Sequence, residues 1–502
     1  MQETETNNFT PNTGSYRSIL KSTSLIGGAS FVSILIGMVK TKFVAILLGP
    51  TGVGLMGMYN QITNLVSTFS GMGLSSSGVR QVAEAVGADD EERIARTVKS
   101  LRRTVWLTGG IGMLVMLLAC VPISLLTFGD SSYALPVALL SIVILLSAIT
   151  SGQACILQGT RRIGDLAKIS VIGAANGTLI SIPCFYIWGV QGIVISLILC
   201  AIASLVTSWW FARRVEIKPI ELHWHESFGE AKQMLSLGIG IMGAGLVTAL
   251  STYLIRVVLL RQFSLDEVGI YQAAFLLSGV LVGFVLKAMG TDYYPRLTAV
   301  AQDTEQVRRM VNEQTEISLL LALPLLVAMM IFAPLIIRIF YADTFATAVP
   351  VLRWCLLGVL GRVISWPLGF VMLAKGKGRL FFGTEFAAAI FHVVAVYGFI
   401  VFYGLNGAGI AFMGLYVFYT VLMLFVTQKL IGWTWKSHVL QFVISATILI
   451  VALMFISRLD VNIQFYWVFN TTVLLIVSGY SLRQLSLKSG LGLKDILGKL
   501  GI

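Results

Sequence analysis

Lys42 to Leu55 reads KFVAILLGPTGVGL and straddles the boundary between two apolar runs. Its Val53, Gly54 and Leu55 recur later as Val268, Gly269 and Ile270, and Trp188, Gly189, Val190, Gln191 and Gly192 recur as Tyr403, Gly404, Leu405, Asn406 and Gly407. Subtraction gives one shift of about 215 residues both times (269 minus 54; 404 minus 189), the signature of a duplicated unit. Lys40 and Lys42 precede the first marker and Arg256 precedes the second, all inside runs apolar enough to cross a bilayer. Cations in paired spans point to a carrier with a cationic chamber.

Composition gives the class independently. Of 502 residues, 56% are hydrophobic and only 12% are charged, against about a quarter charged in soluble proteins. Apolar runs of about 20 residues, enough for one helical crossing, occupy 22–48, 53–79, 105–128, 135–157, 166–188 and 193–211. A second set at 234–260, 268–289, 317–340, 349–374, 380–402 and 408–430 repeats them in the same order. A final pair at 439–456 and 465–482 lies outside the duplication. The expected fold is an all-α polytopic membrane protein of about fourteen transmembrane helices, with two six-helix lobes plus two extra C-terminal helices. The expected organisation is a tail at 1–21, an N-terminal lobe at 22–213, an inter-lobe linker at 214–233, a C-terminal lobe at 234–430, the extra helices at 431–485 and a tail at 486–502.

Lysine and arginine in short loops set the orientation, because positive flanks stay in the cytoplasm. With a cytoplasmic N-terminus, roughly 27 basic residues fall inside, about 2 outside (Arg261 and Arg458) and about 7 within spans. Both termini are then cytoplasmic, and the formal net charge of +12 reflects loops facing anionic lipid. No nucleic-acid reading is needed. The mixed-charge stretch 84–103 reads as an interfacial helix joining the second and third spans. Residues 1–15 are polar and acidic, unlike a secretory signal, and read as a disordered tail.

No cofactor is expected. The five cysteines fall in spans at irregular spacing, which fits neither a disulfide framework nor a metal cluster. His223, His225 and Glu226 share one short loop, too few ligands for a closed metal site. The run Lys375, Gly376, Lys377, Gly378 lacks both the spacing and the preceding strand of a phosphate loop, so no ATPase is encoded.

An ionisable group inside a span costs about 2.5–3.5 kcal/mol at a helix centre unless water or a partner meets it. Lys40, Lys42, Arg256, Lys287, Arg338, Arg353 and Arg362 are such groups. Lys287 and Arg338 stand close enough to span ends to snorkel, and Arg353 reads as a headgroup-layer residue. Lys42, Arg256, Arg362 and Lys40 remain as candidates for binding an anion; Lys40 and Lys42 are two apart and point to different faces, Lys42 being preferred. Few acids oppose them, so the substrate is expected to supply the counter-charge. Asn60, Gln61, Asn64, Tyr271 and Gln272 add hydrogen-bonding groups suited to sugar hydroxyls, although interhelical bonding would use the same residues. Glu385 and Asp292 are the candidates for ion coupling.

The runs Lys42 to Leu55 and Arg256 to Gln272, the latter with the core SLDEVGIYQ from Ser264 to Gln272, resemble the bacterial polysaccharide repeat-unit flippases. The nearest resemblance is to the O-antigen and lipid III type of the multidrug/oligosaccharidyl-lipid/polysaccharide exporter superfamily. That resemblance covers the twelve duplicated spans. It implies a MATE-like pair of lobes in a bacterial inner membrane and outward flipping of an undecaprenyl-diphosphate-linked oligosaccharide. It also implies a polysaccharide polymerase and chain-length machinery as neighbours, and Lys42, Arg256, Gln61 and Gln272 at the lobe interface. Asn60 departs from the pattern where relatives carry a basic residue, and the last two spans depart from twelve-span members. Three other readings stay open: a lipid II flippase for peptidoglycan, a drug or cation exporter of the same superfamily, and a membrane glycosyltransferase. The exporter would place acids where Lys42 and Arg256 stand. The enzyme would need external carboxylates on a sizeable loop, and the external loops here are short.

Overall fold

A computed structural model of the chain describes residues 13–88, 90–457 and 463–489. Within them the backbone forms sixteen α-helices: α1 (Thr13–Gly71), α2 (Leu74–Gly87), α3 (Glu91–Leu118), α4 (Cys120–Phe128), α5 (Ala134–Gly159), α6 (Ile163–Trp188), α7 (Gly192–Ala212), α8 (Trp224–Gln262), α9 (Leu265–Ala299), α10 (Thr304–Ile331), α11 (Ala333–Phe340), α12 (Ala348–Ala374), α13 (Gly378–Tyr403), α14 (Asn406–Ile431), α15 (Ser437–Ile456) and α16 (Ile463–Ser489). Helices suit a bilayer because each satisfies its own backbone hydrogen bonds. Ten helical stretches among the described residues are long and apolar enough to cross one. Two of these, Gly28–Gly71 at 44 residues and Ile163–Ala212 at 50, have the length of two crossings each.

The duplication is written into the backbone turn by turn. Gly189 ends α6 at φ 54°, ψ −132°, and Gly404, one repeat later, ends α13 at φ 57°, ψ −144°. The glycines that follow also correspond. A side chain at Gly192 would overlap the carbonyl of Cys184, and one at Gly407 would overlap the carbonyl of Phe399, the corresponding residue. Arg161 and Gly376 are a third pair, at φ 56° and φ 68°. The left-handed turn is thus kept even where the first copy fills it with arginine, at a cost that glycine avoids.

One boundary is built by different chemistry in the two copies. α1 is broken at Gly49 (φ 63°, ψ −168°), a conformation that only glycine adopts readily. Pro50 follows, which disfavours the helical region for the residue before it and is well suited to a first helical position. The corresponding Ser264 caps α9 in a reciprocal box with Glu267, satisfying free amides at the helix start. A steric break and a polar cap therefore start equivalent helices.

The chain divides into two compact units. Unit 1 comprises residues 1–48 and 59–246, and unit 2 comprises 49–58 and 247–502. In unit 1, α3 packs on α5, α5 on α7 and α6 on α7. The contacts are close because small residues line them: a side chain at Gly109 would meet Ala148, and one at Gly152 would meet Val105, as expected where packing rather than burial from water joins helices. The linker that follows α7 lies on α3, with Lys99 Nζ donating to Ile220 O at 2.5 Å and Arg103 to Ser227 Oγ at 2.6 Å.

The stretch 84–103 is not one interfacial helix. It holds the end of α2, a break, and the first turns of α3. Asp90 interrupts it by accepting from the amides of Glu92 and Arg93 at 3.0 and 3.1 Å, an N-cap that begins a new helix. Of the terminal segments expected as tails, 1–12 and 490–502 lie outside the described residues; α1 already starts at Thr13 and α16 continues to Ser489.

In unit 2, α12 is the central helix, packed by α9, α10 and α14. Its enclosure reaches Arg353, which is 9% exposed: even the first turns of α12 are covered by neighbouring helices. Arg338, by contrast, is a surface residue paired with Asp343 at 3.2 Å. Segment 49–58 packs into this unit against α9. Gly54 lies against the Leu265 carbonyl and Gly269 against the Pro50 carbonyl, while Thr51 hydrogen-bonds Asp266, 215 positions away. Gly57 makes room for Gln272, whose Cδ would stand 3.3 Å from an added Cβ. α15 and α16 rest on α10 through Asn312, which accepts the Lys436 amide at 2.9 Å, and Glu316, which receives Lys488 Nζ at 2.5 Å.

Candidate functional site

Unit 2 holds an open cavity of about 390 Å³ between α8, α9, α12, α13 and α14, within the size range of small-molecule pockets. Helical spacing assembles its polar wall: Arg362, Ser365 and Trp366 share one face of α12, Glu385 and His392 lie two turns apart on α13, and Tyr416 and Tyr419 lie one turn apart on α14. Thr248, Ser251 and Thr252 of α8 complete the wall.

The polar groups are only partly satisfied by protein. Tyr419 donates to Glu385 Oε1 at 2.6 Å. The Arg362 guanidinium stands 5.6 Å from the centroid of the Trp366 ring. Arg362 and Glu385 line the same cavity without forming an ion pair. His392 Nε2 and Trp366 Nε1 are buried and have no hydrogen-bond partner. Both residues line the cavity with other ring atoms, while these two nitrogens are closed off from it.

Arg256 stands one layer behind that wall. It is 2% exposed; Nε and Nη2 both donate to Gln272 Oε1, at 2.9 and 2.6 Å, and Nη1 donates to the Thr252 carbonyl at 3.2 Å. Its guanidinium also lies 5.9 Å from the ring of Phe275, and both Thr252 and Phe275 face the cavity. Among the described residues no carboxylate pairs with it. A neutral amide orients this charge without cancelling it, and in a medium of low dielectric its field extends to the cavity.

The structure therefore groups Arg256 with Gln272, beside the buried Tyr271, and groups Arg362 with Glu385. Asp292 stands apart, an exposed residue paired with Arg296 at 2.7 Å. The remaining sequence candidates belong to unit 1. Lys40 and Lys42 are half-buried on α1, and Lys40 Nζ lies 3.9 Å from where a Cβ on Gly177 of α6 would stand. Gln61 has a buried Oε1 without a partner, whereas Asn60 and Asn64 are exposed. The Lys287 side chain lies outside the described residues. His392, Tyr416 and Tyr419 escaped sequence reasoning. A lone histidine in an otherwise apolar span was the available signal for the first; the tyrosines look like ordinary apolar-face residues until α13 is packed against α14.

Residues 43–350 match the model of a family described as polysaccharide biosynthesis protein. The chain belongs to this family. Among curated members, it is 22% identical to the lipid III flippase of Escherichia coli (strain K12) over 409 residues, 80% of this chain and 96% of that protein. It is also 22% identical to a putative O-antigen transporter of Shigella flexneri over 387 residues, 76% of this chain and 90% of that one. The fold is shared with solved structures. An inward-facing multidrug resistance MATE family transporter of the MOP superfamily superposes with a TM-score of 0.68 at 15% identity, covering 80% of this chain and 94% of the other. The lipid II flippase MurJ in its inward closed conformation superposes with a TM-score of 0.65 at 16% identity, covering 92% and 99%. Family and fold agree on an all-α membrane transporter architecture.

Proposed function

We propose that this chain is a flippase that carries an oligosaccharide linked to undecaprenyl diphosphate from the cytoplasmic to the outer leaflet of a bacterial inner membrane, by alternating access. The observation that carries the reading is the unit 2 cavity, where Arg362 and Glu385 line a space backed by Arg256, a cation that among the described residues no carboxylate pairs. Names of relatives in the same family support the substrate class.

A diphosphate bearing sugars cannot cross hydrocarbon unaided, since each unpaired polar group costs several kcal/mol there. Arg362 supplies a planar donor fork for phosphate oxygens, with Lys42 and Lys40 as further cations and Arg256 holding the potential positive. Asn60, Gln61 and Asn64 of unit 1 are the groups proposed to meet sugar hydroxyls; in unit 2, Gln272 is engaged with Arg256 and Tyr271 is buried beside it. Outward movement of an anion runs with an inside-negative potential, worth about 2.3 kcal/mol per charge per 100 mV. Glu385, set in the cavity on Tyr419, is the group proposed to exchange a proton; Asp292, on the surface with Arg296, is not. The chain performs no covalent chemistry in this reading. Counting two crossings for each of the two long stretches, and one each for α9 and α16, gives the fourteen spans proposed, with both termini cytoplasmic. α15 and α16 border the path of the lipid tail, and a polymerase and chain-length machinery receive the product.

The test is the leaflet location of the lipid-linked glycan in cells lacking this protein and in cells given wild type, Lys42→Ala, Arg256→Ala or Arg362→Ala. Trapping on the cytoplasmic face, relieved by wild type and not by the variants, is the expected result. Unchanged glycan distribution with failing peptidoglycan synthesis would instead assign lipid II as the substrate, and failing drug efflux would assign an exporter.

A further inference from the structure

Unit 1 has an open cavity of about 630 Å³ that this transport reading leaves unused, between α3, α5, α7 and the first residues of the linker after α7. Two helices reach it with the same pair of residues. On α3, Arg102 and Trp106 are one turn apart; on α7 and just beyond it, Trp209 and Arg213 are one turn apart. α3 leaves the end of the unit at which α7 arrives, so on both helices the arginine lies one turn nearer that end than the tryptophan.

The chemistry changes along the groove. At its outer end are two guanidinium groups and no carboxylate. Arg213 stands 5.0 Å from the ring of Trp209, which orients it without neutralising it, and among the described residues Arg102 has no hydrogen-bond or ion-pair partner. Next come the two indoles, Trp106 at 57% and Trp209 at 53% exposure, residues that favour the boundary between headgroups and hydrocarbon. Deeper, the wall is Val105, Leu205 and Val206, and the exposed stripe Ile202, Val206, Trp209 on α7 continues it along the helix at three- and four-residue spacing. The floor is firm: Gly152 of α5 is pressed against Val105, and the Ser208 hydroxyl bonds the buried Gln153 amide.

Cation, then amphipathic ring, then apolar wall is the polarity profile of one phospholipid laid parallel to the helices. We propose that this groove is a binding site for an anionic diacyl phospholipid, its phosphate held between Arg102 and Arg213, its glycerol esters beside Trp106 and Trp209, and its acyl chains along Val105 and Val206. Charge selects the lipid: a zwitterionic headgroup brings its own ammonium beside two arginines, whereas an anionic one does not. The apolar wall selects a lipid over free phosphate, which gains nothing from it. The site is independent of the substrate cavity in unit 2, so it stands or falls separately from the transport reading.

The full-length protein, purified in detergent and given equal amounts of dioleoyl phosphatidylglycerol and dioleoyl phosphatidylethanolamine, tests this by native mass spectrometry of retained lipid. Wild type is expected to retain the glycerol lipid over the ethanolamine lipid by about thirtyfold, at roughly 1 kcal/mol for each of the two arginines near the surface. The Arg102→Gln/Arg213→Gln double variant should lose that preference, and Arg102→Lys/Arg213→Lys should keep part of it. Equal retention of both lipids by wild type, or an undiminished preference in the glutamine variant, overturns the proposal. Release of the lipid by millimolar inorganic phosphate also overturns it, in favour of a free-anion site. If the glutamine variant does not fold, the wild-type ratio and the lysine variant decide: no preference in the first, or no loss in the second, defeats the proposal.

Discussion

Gly54 and Gly269, separated by one repeat, pack backbone to backbone and reciprocally: each would place an added Cβ 3.0 Å from the other's amide nitrogen. The neighbouring Thr51 also meets its own counterpart, Asp266, and Gly57 meets Gln272. When successive residues of one helix each meet their own counterpart, the two helices run parallel about a local two-fold axis lying between them; antiparallel helices would match only once. A unit with an even number of spans, duplicated in tandem, keeps its orientation, and this helix pair is the local record of that event.

The closeness of that pair makes its glycines indispensable. Gly54→Ala or Gly269→Ala drives a methyl group into a main-chain carbonyl that cannot rotate away, so each is expected to cost about 3 kcal/mol, the upper end for overpacking. Gly37→Ala, whose Cβ meets nothing within 4 Å, is the control and should not destabilise. Thermal unfolding in detergent measures both; equal melting temperatures for all three variants would contradict the packing argument.

Gln272 separates structural from electrostatic roles of Arg256. Gln272→Leu removes the acceptor of two guanidinium donors and leaves a buried charge without it, a loss of about 3 kcal/mol in stability. Gln272→Glu keeps the acceptor geometry and adds a negative charge, so the protein should stay folded while the potential behind the cavity falls. Export of the lipid-linked glycan per molecule of Gln272→Glu is expected to drop at least about tenfold. Full export by this variant would mean that Arg256 serves the fold alone.

The fold was readable because its two strongest signals, hydrophobic runs and a duplication, are local in sequence. Helix starts were less so: Gly49 with Pro50 and Ser264 with Glu267 look unrelated, and only the backbone shows that they begin equivalent helices. The site divides the same way. Arg256, Arg362 and Glu385 stood out because charge is rare in a span. Their surroundings did not, since the partner of Arg256 is an amide sixteen residues away and that of Glu385 is a tyrosine on another helix. The burial of Arg353 was not legible because cover in a bundle depends on which helices pack against a residue, and a run of apolar residues looks alike at the centre and at the rim.

The cap of α9 carries a pH dependence. The Ser264 side chain and amide hold the Glu267 carboxyl below its ordinary value. A folded value below the unfolded one contributes stability that is fully present above the unfolded value, about 4.3 for glutamate, and is lost as pH falls through the folded value. Wild type should exceed Glu267→Gln by about 0.5 kcal/mol at neutral pH, small because the cap is open to solvent. The two should converge as pH falls through the lowered folded value. Melting temperatures of both proteins between pH 7 and 3 provide the check, and a gap that widens on acidification would reverse the sign.

The last two helices can be assigned a role by comparing removal with loosening. Ending the chain before Ser437 strips α10 of Lys488, which bonds Glu316 at 2.5 Å, and of His438, 3.7 Å from the same carboxylate. Glu316 is only 13% exposed with both present. If α15 and α16 border the lipid-tail path, this truncation abolishes export even in the fraction that reaches the membrane folded. Glu316→Gln in the full chain weakens the attachment by about 1 kcal/mol but leaves both helices in place, so export per folded molecule should stay within about twofold of wild type. Immunoblotting and the leaflet assay together supply that ratio. Full export by the truncated chain would remove the two helices from the path, and a loss in Glu316→Gln as deep as in the truncation would assign them to bracing α10 instead.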